Sequence, residues 1–256
     1  MGAGAPKIPG MTFSDPVAVS PKGADASPAI VFGQVKEGAA NSTLLPTAFL
    51  EALGDPGSVP KREAVRLSEN DLQAYRYESL KPKGLDQPVT VFTAPTSEGV
   101  ATLACIAPGP DCEAVANTLK LNKGTAFPVG PNKDYAGALS KQLGALDKKA
   151  SAGRSALKSA KTGKAQGKAA HQVGAAYLAT SKSLSGLELS PADQAANKQL
   201  ADAMKETGTA FRKLGAAAAK GDKGGYQSAG KVVSNGEQAI SGALRGLQAA
   251  GYKVSG

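Results

Sequence analysis

Along the first 121 residues the apolar positions come in short runs broken by turn-forming residues, and from residue 134 onward they recur every three or four positions. The first pattern is that of strands and the second that of amphipathic helices. "MTFSDPVAVS", "AIVFGQVKE", "EAVRLS", "LQAYRYESL", "PVTVFTAP" and "GVATLACIA" are rich in β-branched and aromatic residues and predict six strands. In the last two, the polar stretch from Pro95 to Gly99 joins two alternating apolar runs and predicts a β-hairpin. Two short helices accompany the strands, one between them and one after the last. In "LLPTAFLEALG", Leu45, Phe49, Leu50 and Leu53 stand at helical spacing and Gly54 is the stop. A second begins at Pro110 and Asp111, carries Glu113 in its first turn, and takes its apolar face from Val115, Leu119 and Leu121.

Residues 122–133, "NKGTAFPVGPNK", have two prolines, two glycines and no period, which predicts a linker or a strap crossing the preceding domain. Beyond it, Tyr135, Leu139, Leu143, Leu146, Ala150 and Leu157 line one face of a first long helix. Ala169, Val173, Tyr177, Thr180, Leu184 and Leu187 line a second, and Leu200, Met204, Thr207, Phe211, Leu214 and Ala218 a third. Tyr226, Ala229, Val233, Ile240, Leu244 and Leu247 line a fourth. The third opens with Ser190 as cap, Pro191 at the first helical position and Asp193 three residues after the cap. The connections "KTGK" and "KGDKGG" are short, so neighbouring helices must run antiparallel. The expectation is an α+β chain: an antiparallel-sheet α/β domain over 9–121, a linker over 122–133, and an up-down antiparallel four-helix bundle over 134–252. Gly137, Gly144, Gly153, Gly208, Gly230 and Gly236 fall inside these helices, each at a cost of about 1 kcal/mol against alanine. Close packing has to offset part of that cost, and some of these glycines are expected to face solvent.

Composition sharpens the division. Of 256 residues 41% are hydrophobic, but aromatics are only 5%, Trp is absent and glycines number 31, which favours small-residue contacts between helices. Residues 1–130 carry 11 Lys/Arg against 13 Asp/Glu and residues 131–256 carry 19 against 8, so the net charges are −2 and +11. The whole positive balance belongs to the second half. No apolar run reaches the roughly 18 residues of a membrane span, and "MGAGAPKIPG" lacks the apolar core of a signal peptide. Those features predict a soluble chain, and the opening "MGAGAP" reads as a flexible tail left where a leader was trimmed.

Cys105 and Cys112, in "CIAPGPDC", admit three readings. A zinc site needs about four ligands, and the one histidine, His171, lies in the other domain. A nucleophilic thiol needs a base, for which the same distant His171 is the histidine available. A disulfide needs only that a strand end and a helix start approach, which "APGP" enforces. Closing an eight-residue loop is worth roughly 2.5 kcal/mol in the chain-entropy picture. The disulfide is the expected reading, ahead of two unrelated buried thiols, and it implies an oxidising compartment outside the cytosol.

The stretch from "LLPTAFLEAL" through "REAVRLSENDLQAYRYESLKPKGLDQPVTVFTAPTSEGVATLACIAP" to "CEAVANTLKL" resembles the extracytoplasmic domains of membrane-anchored actinobacterial proteins. Some of these hang from a transmembrane helix behind a cytoplasmic serine/threonine kinase. The first domain also looks distantly like the Mog1/PsbP-like fold of small mycobacterial lipoproteins. The resemblance rests on the order of strands, hairpin, cysteine pair and closing helix, and it implies an ectodomain anchored by a segment outside this sequence. It transfers no functional residue, and no kinase signature occurs in the chain.

Candidate chemistry is sparse. His171, in "GKAAHQVGAAY", sits about 200° from Val173 on its helix and is expected at the surface. Glu69/Asp71 and Asp111/Glu113 read as turn and helix-start residues rather than an acid pair for glycoside chemistry. "GAGAP" is not a phosphate loop and no G-x-S-x-G occurs, whereas "NST" at Asn41 fits an N-glycosylation acceptor. The feature with functional content is basic: Lys148, Lys149, Lys158, Lys161, Lys164 and Lys168, with Arg154, crowd the first helical hairpin, and Lys220, Lys223 and Lys231 the second. Aromatics and arginines are too few among them for nucleic acid, but anionic lipid headgroups or wall polymers need only charge. The function expected is a non-enzymatic extracytoplasmic sensing or interaction module, with no cofactor and no metal, its partner a protein or an envelope ligand. The alternative is a cell-envelope carrier of a small molecule or lipid, holding it against the sheet or between helices.

Overall fold

The computed structural model describes residues 6–20, 29–35, 38–54, 59–67, 72–106 and 110–254. The chain divides into two compact units: residues 1–132 with Leu189–Ala195, and residues 133–188 with 196–256.

The first unit is built on a six-stranded antiparallel sheet, in the order β1-β2-β6-β5-β4-β3. The strands are β1 (Ser14–Val19), β2 (Ile30–Val35), β3 (Glu63–Leu67), β4 (Leu72–Leu80), β5 (Val89–Thr96) and β6 (Gly99–Ile106). Central strands β5 and β6 are buried almost throughout because both faces of the sheet are covered. On one face Val31, Val35, Tyr75, Tyr77, Val89 and Val91 pack with Leu44, Leu45 and Phe49 under the short helix α1 (Thr47–Ala52). On the other, Phe92, Leu103 and Cys105 pack with Cys112 and Ala116 of α2 (Pro110–Asn117). Edge strands β1 and β3 alternate or lie exposed, Val17 at the rim being 57% accessible.

Polar ties close this unit. Arg76 on β4 ion-pairs with Glu63 of β3 at 2.6 Å, Glu78 at 3.3 Å and Glu113 of α2 at 3.4 Å, so the helix-start acid also joins helix to sheet. The Tyr77 hydroxyl donates to the Thr43 carbonyl at 2.5 Å, and burial pushes its pKa up to about 12. The segment 122–132 is a strap on the sheet: Phe127 N donates to Pro95 O at 2.9 Å, Ser97 N to Thr125 O at 2.9 Å, and Val129 N to Gln73 Oε1 at 3.2 Å. It runs beside the end of β5, beyond the last β4 partner, and supplies backbone bonds there.

The second unit comprises α3 (Lys133–Ser159), α4 (Gly163–Ser185), α5 (Pro191–Lys220, its first turn counted with the sheet unit) and α6 (Lys223–Ala249). Thr162 caps α4 by accepting from Ala165 N at 3.2 Å, and Asp222 caps α6 by accepting from Gly225 N at 2.9 Å. Consecutive helices pack antiparallel, and glycine sets how closely. A Cβ added at Gly174 would lie 2.7 Å from the Gly208 carbonyl oxygen, and one at Gly167 2.8 Å from that of Gly215. The α4–α5 backbones therefore touch. Gly153 makes room for the Val173 side chain of α4 and Gly236 for the Thr207 side chain of α5, whereas Gly137 and Gly144 on α3 have nothing within 4 Å. Inside, Tyr177 stacks on Phe211 with centroids 5.8 Å apart. At the other end of the helices Tyr135 meets Tyr252 edge-on at 5.2 Å.

Candidate functional site

Cys105 at the end of β6 and Cys112 in the first turn of α2 are disulfide-bonded across a Cα–Cα distance of 6.0 Å. The bond is buried in the α2-side core, so it staples helix to sheet. It points to an oxidising compartment. No described helix is long and apolar enough to cross a membrane.

The Asn41 side chain is occupied. Its Nδ2 donates to Gly38 O at 2.7 Å and Leu45 O at 2.9 Å, while its Oδ1 accepts from Thr43 N at 2.9 Å and Thr43 Oγ1 at 2.5 Å. Those four bonds hold the loop that delivers Leu44 and Leu45 to the core. His171 is exposed on α4, beside Gly215 of α5. Among the described residues no three of His, Cys, Asp and Glu gather as metal ligands. Glu69, Asp71 and residues 107–109 of "APGP" lie outside the described residues.

All six lysines of the first hairpin are exposed, but the fold sorts them. Lys158, Lys161, Lys164 and Lys168 flank the α3–α4 turn. Gly163 in that turn lies against the Ala218 backbone of α5, so the α5–α6 turn, with Lys220 and Lys223, is at the same end of the unit. Asp222 is the acid beside them, and none of these six cations is ion-paired among the described residues. Lys148 and Lys149 stand about 15 Å back along α3, and Lys149 faces about 180° from Lys158.

One site was not anticipated. The seam between α3 and α6 opens into a cleft of about 520 Å³, with Tyr177 of α4 and Met204 of α5 in its lining. Leu143 and Ile240, which the helical period assigns to core faces, are only partly buried because they form its walls. At one end Arg154 Nη2 donates to Tyr177 Oη at 2.7 Å and to Glu237 Oε1 at 2.5 Å. Burial opposes the Arg154 charge, but Tyr177 and Glu237 outweigh it and the guanidinium holds its proton more firmly than usual. Burial likewise pushes the Tyr177 hydroxyl up, against the pull of Arg154. At the other end Lys253 and Val254 fold back over the cleft, with Val254 O accepting from Gln248 Nε2 at 2.8 Å. A wider depression of about 780 Å³ along α5 and α6 is lined by lysines and acids in near balance over alanine.

The sequence did carry a signal for the cleft. Arg154 interrupts the stripe Leu146–Ala150–Leu157, and Glu237 interrupts Val233–Ile240. Opposite charges breaking two apolar stripes mark the seam where those stripes do not meet.

No protein family, curated protein or solved structure matches the chain.

Proposed function

We propose that the chain is a non-enzymatic extracytoplasmic interaction module that docks on an anionic envelope surface through the lysine-bearing end of its helical unit. The observation that carries this reading is the gathering of Lys158, Lys161, Lys164, Lys168, Lys220 and Lys223 round two adjacent turns, exposed, against Asp222. Like charges held together without carboxylate partners raise the local potential, and that potential attracts anionic headgroups or wall polymers. The disulfide supports an address outside the cytosol. Anchoring in a membrane, with or without a kinase on the far side, rests on the sequence resemblance alone.

The test is sedimentation of the full chain with vesicles of neutral lipid containing 30% anionic lipid, and with a soluble wall polymer, from about 10 to 150 mM salt, where the screening length falls from roughly 30 to 8 Å. Binding at low salt, lost at high salt, is expected. Lys158→Gln with Lys161→Gln, Lys164→Gln and Lys168→Gln should remove most of it, while Lys148→Gln with Lys149→Gln should remove little. Absence of binding at low salt, or equal loss in both variants, refutes the reading.

A second reading, a carrier of a small molecule or lipid, is favoured by one observation: the apolar cleft between α3 and α6, whose volume falls within the range of ligand sites.

A further inference from the structure

We infer that the α3–α6 cleft takes a single-chain anionic amphiphile, its carboxylate at Lys253 and its hydrocarbon chain along α3 toward Arg154. This rests on the carrier reading of the cleft and names the ligand class. Shape comes first. The α3 wall runs from Ser140 to Arg154, fourteen residues and about 21 Å of helix, so a volume of about 520 Å³ is drawn out into a slot rather than a round pocket. A slot of that form suits one flexible chain better than a fused-ring compound.

Lining comes second. Leu143, Leu146 and Ala150 of α3 face Ile240 and Leu244 of α6, with Met204 behind, a side chain that adapts to irregular apolar partners. Leu143 and Ile240 remain partly exposed at positions where the helical period demands burial, and an apolar chain in the slot would complete that burial.

Charge decides the polarity of the ligand. Arg154 is answered by Glu237 and Tyr177 and is not available to a head group. Asp147, two turns along α3 from Ser140, accepts from Ser151 Oγ at 3.4 Å and places an acidic side chain in the wall, which disfavours an anionic head in mid-slot. Lys253, at the Ser140 end, is the cation of the lining with no ion-pair partner among the described residues. An anionic head group therefore belongs at that end.

The experiment uses the full chain and the uncharged fluorescent probe N-phenyl-1-naphthylamine, displaced by dodecanoate, dodecanol or dodecylamine. The probe should bind, and dodecanoate should displace it at a concentration roughly tenfold lower than dodecanol, with dodecylamine weakest. Lys253→Gln should abolish the advantage of dodecanoate and leave dodecanol unchanged. Gly144→Leu should abolish probe binding while the protein keeps or gains thermal stability, because an added Cβ there meets nothing within 4 Å and glycine is the poorer helix former. Gly137→Ala, on the same helix outside the cleft, should leave binding intact. If the probe does not bind, or binds equally to Gly144→Leu, the carrier reading of the cleft is overturned. If the probe binds in the cleft but dodecylamine competes as well as dodecanoate, or Lys253→Gln changes nothing, the cleft stands and the anionic class is overturned.

Discussion

Both units bury large apolar side chains, but they close their contacts in different ways. In the sheet unit large side chains fill the interior, with Tyr77, Phe49, Leu44, Leu45 and Leu103 essentially inaccessible, and a disulfide ties the closing helix down. In the helical unit the α4–α5 contact is made by the absence of side chains, Gly167 against Gly215 and Gly174 against Gly208. The apolar stripes of α3 and α6, by contrast, do not close on each other. The sheet interior is filled by side chains, whereas the helical unit is tight along one seam and open along another. A sealed core loses stability when atoms are removed, a backbone contact when atoms are added, and an open seam tolerates both. That tolerance is what a binding cleft needs.

The largest effect is expected at the glycines of the α4–α5 contact. Gly174→Leu should cost about 3 kcal/mol, because the obstacle is the Gly208 backbone and not a movable side chain. Thermal unfolding followed by helical circular dichroism would show it, and a loss below 1 kcal/mol would mean that the helices separate freely. Next, replacing Cys105 and Cys112 together by alanine should cost the sheet unit about 2.5 kcal/mol, and dithiothreitol should reproduce the loss in the native chain. Denaturant titration read by tyrosine fluorescence measures it.

Alkaline pH should then weaken the sheet unit through Tyr77. Its hydroxyl is held protonated to about pH 12 by burial, whereas in the unfolded chain it ionises near pH 10. The folded state thus binds more protons between those values, so its contribution is complete below pH 10 and is lost as pH rises to 12, by about 2 kcal/mol. Tyr77→Phe should show a flatter decline over that window, at the cost of leaving Thr43 O without its donor. Smallest is Gly137→Ala, which should stabilise the helical unit by about 1 kcal/mol since nothing crowds the position. A change of opposite sign from Gly174→Leu within one bundle would isolate close approach as the cause.

Most of this architecture was legible because both periods were clean. The six β-rich runs each became a strand, and the four apolar stripes became four long helices whose short connections force antiparallel neighbours. What remained hidden was non-local. A period states which face of a helix is apolar, not whether another face arrives to cover it, so Leu143 and Ile240 read as core. Proximity in sequence grouped Lys148 and Lys149 with Lys158, but a helix carries nine residues through two and a half turns and separates them. The strap's use of Ser97, Pro95 and Gln73 depends on partners about 30 to 60 residues away, which composition cannot supply.

The Asn41 loop sets a deadline on any modification of this chain. Both Nδ2 hydrogens are committed to Gly38 and Leu45 once the loop closes, so a sugar-transferring enzyme could reach the "NST" acceptor only while the chain is still unfolded. A glycan attached then would remove one of those hydrogens and stand where the loop must close over the core. Production in a glycosylating host would accordingly divide the material into unmodified chains that fold and modified chains that do not, and Thr43→Ser would keep that division whereas Thr43→Val would end it.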